Sequence, residues 1–200
     1  MESIESRALA RNERYLREFV EALDLCPFAR KCREMRRLER RVLRGARPAE
    51  ATLAAIRDLE QTSEERVEVA LLIYPELAGD VRAFEEFRDE VRKSLRLFYC
   101  VSFHPELPMD LSDANRAVSF LRRSPDPTLQ LVRVATLERV RSGRPSGSIV
   151  VDASAISPAE LAALQQSISV SEQIARANLR TLRQHDPAAL DRLLADMRAR

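Results

Sequence analysis

Two hundred residues, 45% hydrophobic and 32% charged, match one ordinary globular domain with a single sizeable core. A formal net charge of only +2 excludes a strong overall field toward nucleic acid or an anionic membrane. No run approaches the roughly 18 apolar residues of a membrane span, and MESIESRALARNERY lacks the apolar centre of a signal peptide. A cytoplasmic protein with no membrane partner is therefore expected.

In chain order, the apolar residues Ala8, Leu9, Leu16, Phe19, Val20 and Leu23 recur at three- and four-residue spacing and predict one surface helix over Ile4 to Leu25. Pro27 then lacks the amide hydrogen a helix interior needs but suits a first helical position, so Cys26 is expected at a break before a second, short helix. Nine basic residues and two Glu lie between Arg30 and Arg47. Without interleaved aromatics to stack bases, that run reads as a solvated edge around a short strand near Leu38 to Leu43, and no nucleic-acid partner is expected.

Pro48 to Glu60 predicts a helix with Leu53, Ile56 and Leu59 on one side. VEVALLIY, Val67 to Tyr74, is the strongest strand pattern, β-branched and nearly continuous as in a strand buried on both faces. Asp80 caps a helix carrying Val81, Phe84, Phe87, Val91 and Leu95. A strand at Leu97 to Phe103, a polar crossover, and a fourth strand at Thr128 to Val134 follow. After Arg141, SGRPSGS predicts a flexible loop and Ile149 to Asp152 a short further strand, with helices at Pro158 to Ser167, Ser171 to Arg183 and Pro187 to Met197.

Strands alternating with helices predict an α/β or α+β fold: a small sheet of about four strands covered by helices. Residues 1–141 form its α/β part, and 142–200 a loop and helical C-terminal extension packed on the same domain.

Three cysteines, an odd number, point to reduced thiols at Cys26, Cys32 and Cys100. A helix start favours a thiolate at Cys26, the pattern of a nucleophile; the other reading is a small buried side chain filling a corner. On one helix, Cys32 stands about 240° and ~9 Å away, wrongly aimed for a disulfide with Cys26. Cys100 and His104, if extended, are ~13 Å apart at ~3.3 Å per residue, so no metal site and no cofactor are expected.

His104 closes a predicted strand, where open sheets place ligand crevices, and suits a general base; the other reading is a ring that ties down a two-proline loop. Arg122, Arg123, Ser124 and Thr128 form a donor-rich segment stiffened by Pro125 and Pro127, shaped to cradle a carboxylate or phosphate. The other reading pairs its arginines with Asp110, Asp113 or Asp126.

Leu25-Cys26-Pro27-Phe28-Ala29, Ser102-Phe103-His104-Pro105, and Arg123 to Leu129 with Leu131 and Arg133 resemble, in order and spacing, the bacterial domain-of-unknown-function family numbered 1415. The resemblance covers Tyr15 to Arg139 and returns at Ile174 to Leu182 around Asn178. It implies that Cys26, His104, Arg123 and Ser124 converge, and it supplies no reaction. The chain departs from that pattern at Arg122, where an asparagine is usual, in a shorter segment between His104 and Arg123, and in the stretch Ser142 to Ser169.

Together these features predict a cysteine-dependent enzyme of group transfer or hydrolysis, with Cys26 as nucleophile, His104 as base and the arginine loop on a small anionic substrate. The alternatives are a binding module for an anionic metabolite and a protein-interaction module. Nothing in the residues sets an oligomeric state.

Overall fold

Four strands form one mixed sheet in the computed structural model, which describes residues 2–26, 29–46, 48–141 and 170–199. They are β1 (Leu38–Val42), β2 (Val69–Ile73), β3 (Phe98–Phe103) and β4 (Thr128–Arg133). Around them lie α1 (Ile4–Arg14), α2 (Ala29–Glu34), α3 (Ala49–Gln61), α4 (Val81–Arg92), α5 (Ala114–Leu121), α6 (Val134–Arg141), α7 (Val170–Arg183) and α8 (Pro187–Ala199). The fold is α+β, and no helix among the described residues is long and apolar enough to cross a membrane. The predicted loop after Arg141, the strand at Ile149 to Asp152 and the helix at Pro158 to Ser167 lie outside the described residues.

The strand order is β1-β2-β4-β3. β1 and β2 are parallel, while β4 runs antiparallel to both β2 and β3. Pleating sends alternate side chains to opposite faces. Ala70, Leu72, Leu129, Leu131, Phe98 and Cys100 therefore meet Ile56, Leu59, Phe84 and Val91 of α3 and α4. Leu71 and Ile73 face the other way, onto Ala8 and Leu16 of the N-terminal helix. A second cluster on that side joins Tyr15, Phe19 and Leu25 to Phe120 of α5 and to Leu182, Leu190, Leu194 and Met197 of α7 and α8.

Three elements differ from the sequence expectation. The N-terminal helix is not α-helical to Leu25: after Arg14 it widens into a π-helix over Tyr15–Glu21. The wider turn lets Tyr15, Leu16, Phe19 and Glu21 all be buried, and Tyr15 stacks on Phe19 with centroids 5.6 Å apart. It ends where Asp24, at φ 49°, reverses the chain, with Leu25 N–H on Val20 O and Asp24 N–H on Glu21 O, the paired bonds of a Schellman stop. The polar crossover contains α5, whose cap Asp113 accepts from the amides of Asn115 and Arg116. Finally, β4 gives way at Val134 to α6.

Five arginines of the basic run after Arg30 are paired internally. Arg33 pairs with Glu21, Arg37 with Glu68, Arg40 with Glu13, Arg41 with Glu39 and Asp58, and Arg44 with Glu76.

Arg133 closes β4 without a carboxylate. Buried, it donates to Val67 O at 2.8 Å, to Leu59 O at 3.2 Å and to Thr62 O, and its guanidinium lies 4.7 Å over the Phe98 ring. These carbonyls belong to the end of α3 and the loop into β2, so one side chain ties β4 to its neighbour's approach. Arg133→Met strands buried acceptors and is expected to lower the unfolding free energy by about 3 kcal/mol, read as a lower urea midpoint at unchanged slope.

Candidate functional site

The register places the carboxyl ends of β1, β2 and β3 and the amino end of β4 along one edge, since Phe103 and Ile73 both face Thr128 and Val42 faces Ile73. The segment from Arg122 to Pro127 crosses this edge. His104 N–H donates to Arg122 O at 3.0 Å, and Tyr74 N–H to Pro127 O at 2.9 Å. Arg11 of α1 grips Asp126 through Nε and Nη2 at 3.0 and 2.8 Å, a two-point pair that fixes the loop from below.

Most of the donors predicted to hold an anion are spent on this loop. Ser124 Oγ and Thr128 Oγ1 both donate to Asp126 O, at 2.5 and 2.9 Å, and both residues are buried. Arg123 reaches Asp191 of α8 at 2.5 Å and Pro105 O at 3.3 Å, with its guanidinium over Phe120. It docks the C-terminal helix.

His104 extends the row Phe98, Cys100 and Ser102 toward α4, and its ring lies 5.8 Å from that of Phe84. Nδ1 accepts the Glu106 amide at 3.2 Å, so the neutral ring carries its proton on Nε2, where the Gly79 backbone faces it. Burial holds its pKa below the ordinary histidine value, with Glu106 opposing.

Cys26 lies at the end of the N-terminal helical segment. It follows Leu25 of the Tyr15 and Phe19 cluster, and Asn178 Nδ2 of α7 donates to Leu25 O at 2.9 Å. Ala29 N–H, the first of α2, donates to Cys26 O at 3.2 Å. Its charge acts on Tyr15 and on Cys32, and the groups around Cys32 are Arg37, Glu68 and Val69 at the amino ends of β1 and β2. Cys26 thus acts on Tyr15 and Cys32, while His104 closes β3 at the carboxyl ends and packs on Phe84. Cys26 is half-buried, while Cys32 and Cys100 are buried and burial pushes their thiols up to about 11 and about 12.

Arg122, at the end of α5, is different from its neighbours in the loop. Its guanidinium is half-buried and makes no hydrogen bond, ion pair or ring contact among the described residues. Other arginines without a partner, such as Arg7, Arg36, Arg57 and Arg66, are exposed. Burial lowers its pKa, and the groups acting on it are Tyr99, Arg88, Glu85 and Tyr15. Tyr15 in turn donates to Leu121 O at 2.6 Å, beside Arg122. Among the described residues no three His, Cys, Asp or Glu side chains converge as a metal ion would need.

A family model described as a protein of unknown function, DUF1415, matches residues 7–160, more than half of the chain. The chain belongs to this family. Searches of curated proteins and of solved structures returned no match. The DUF1415 match spans the segments that carry Cys26, His104 and the Arg122 to Thr128 loop.

In this DUF1415 chain, Tyr15 and Tyr99 carried no signal as site residues in the sequence, and Phe84 and Phe87 read only as a helix face. The nearness of the two tyrosines to Arg122 depends on α5. That helix had a local signal: a capping Asp113 followed by Ala117, Phe120 and Leu121 at three- and four-residue spacing.

The lowered pKa of His104 has a stability consequence whose sign is definite. As pH falls through the ordinary histidine value, about 6.5, the unfolded chain takes a proton that the folded chain refuses, so stability falls with it. Melting temperature is expected to drop between pH 7.5 and 5.5, and His104→Asn, which keeps an acceptor for the Glu106 amide, is expected to flatten that slope. An equal slope in both proteins rules this role out.

Proposed function

We propose that the chain binds a small anionic molecule at Arg122, on the side of the sheet that carries Tyr15 and the end of α5. The observation that supports this reading is the half-buried guanidinium itself, unpartnered among the described residues. A guanidinium does not deprotonate at neutral pH, so its burial leaves an uncompensated charge that destabilises the empty protein. A carboxylate or phosphate relieves that penalty and accepts two parallel hydrogen bonds from the fork. The exposed phenol of Tyr99 is positioned to act on the same anion. The π-helical turn at Tyr15 is a second support, because such turns are rare and gather at functional sites.

In this reading Arg123, Ser124 and Thr128 shape the loop and Arg122 supplies the charge.

The test uses the opposed effects of one substitution. Arg122→Met is expected to raise the stability of the ligand-free protein by about 1 kcal/mol. It is also expected to abolish the melting-temperature increase that organic phosphates or dicarboxylates give the wild type. A destabilised variant that keeps the anion-dependent increase overturns the proposal.

A cysteine-dependent enzyme is the second reading, supported by the half-buried state of Cys26 beside two deeply buried thiols. Tyr15 is the link, since both Cys26 and Arg122 act on its phenol. The Cys26 thiolate would attack an acyl carbon of a substrate anchored at Arg122, forming a thioester as the leaving group departs with its electron pair. In this reading the thiol proton passes to a base, His104 or water, and on to the leaving group. Iodoacetamide is expected to modify Cys26 about tenfold faster than free cysteine and to spare Cys32 and Cys100, with an anionic ligand slowing the reaction. Labelling at the rate of free cysteine, unaffected by anions, removes this reading.

A further inference from the structure

Pleating sends Leu129 and Leu131 of β4 beneath α3 and α4, so Gln130 and Val132 face the other way, toward the side where α1 packs on Leu71 and Ile73. Gln130 stands between Leu71 of β2 and Val101 of β3. It is half-buried, and its carboxamide makes no hydrogen bond among the described residues.

A second carboxamide belongs to the same face. Asn12 comes one turn after Ala8 and one turn before Leu16, the two residues of the N-terminal helix that pack on Leu71 and Ile73, so it too is turned toward the sheet. Asn12 is 3% exposed, and its Oδ1 is buried without a hydrogen-bond partner. Buried polar groups are nearly always paired, and an orphaned acceptor destabilises the empty fold. This one calls for a donor from outside the chain.

Both amides neighbour the groups around Arg122. The bond from His104 N–H to its carbonyl holds Arg122 at the end of β3, and Tyr99 and Tyr15 are among the groups that act on its guanidinium. Tyr99 is the diagonal neighbour of Gln130 across β3 and β4, at the roughly 7–8 Å separation that long side chains bridge. Tyr15 opens the π-helix three residues after Asn12. One face of the sheet therefore carries a fixed cation, a carboxamide with donors and an acceptor to offer, and an acceptor in need of a donor.

We propose that the anion bound at Arg122 is an N-acylated acid, whose amide N–H donates to Asn12 Oδ1 and whose acyl oxygen accepts from Gln130 Nε2. This rests on the anion site proposed above and supplies the other half of its ligand. A dicarboxylate or an ester satisfies Arg122 but brings no N–H for the orphaned acceptor. Asn12 and Gln130 are here binding residues that set specificity.

The test compares each amide with the oxygen ester of the same shape, N-acetylglycine against acetoxyacetate and N-benzoylglycine against benzoyloxyacetate. Dissociation constants come from chemical-shift titration of the full chain. An amide is expected to bind about tenfold more tightly than its ester, since the ester leaves Asn12 Oδ1 unpaired. Asn12→Leu and the smaller change Asn12→Ala are expected to bring that ratio to about one while both probes still bind. Gln130→Met is expected to weaken amide and ester together, and Arg122→Met to remove both. Equal constants for amide and ester in the wild type, or a preference that survives in a folded Asn12 variant, overturn this inference and leave the anion site standing. Failure of all these probes overturns it as well, and failure of succinate beside them overturns the anion site too.

Discussion

Everything distinctive about this molecule depends on β4 running between β2 and β3 and against both. Its backbone is paired on two sides, and Leu129 and Leu131 are fully buried in the core beneath α3 and α4. Both ends are tied by arginines that are distant in sequence or in place. Arg11 holds Asp126 just before the strand starts, and Arg133 at its end reaches three carbonyls of the α3 to β2 connection. Because β4 enters where the other three strands leave, the loop from Arg122 to Pro127 must cross the edge at which His104 emerges. The hydrogen bond from His104 N–H to Arg122 O is the direct result.

The same sheet keeps two chemistries apart. On the α3 and α4 side, His104 and two phenylalanine rings line a concave surface without a cation among its described residues. On the other side, the π-helical turn, Cys26 and the end of α5 surround a tyrosine on which both a thiol and a guanidinium act. Among the described residues much of the charge is neutralised pair by pair, which is why one half-buried guanidinium without a partner among them stands out. An arginine-rich composition says little by itself; the partner each guanidinium finds decides whether it is structural or available.

Much of the architecture was legible from the residues. The apolar run at Val69–Ile73, the Asp80 cap, the period of α4 and the four-strand count all follow from local pattern, because periodicity near 2 or 3.6 reports which face is buried. The loop of Arg123, Ser124 and Thr128 was legible as a built segment, yet its donors turn inward onto Asp126 and Asp191. That outcome required knowing that α8 returns to pack beside α5. The π-helix left no periodic signal, since its seven residues keep the apolar spacing of an α-helix until burial of Tyr15 and Glu21 demands a wider turn.

The sequence by itself determined most of the elements, the fold class and the reduced state expected of three thiols, consequences of local propensity and composition, and its motifs pointed to the family. Only the tertiary structure decided which of the motif residues meet. Strand order and pleat set that, and neither is encoded within any one segment: the alternation of β3 sends His104 toward α4, while the turn after the π-helix packs Leu25 with Tyr15 and Phe19.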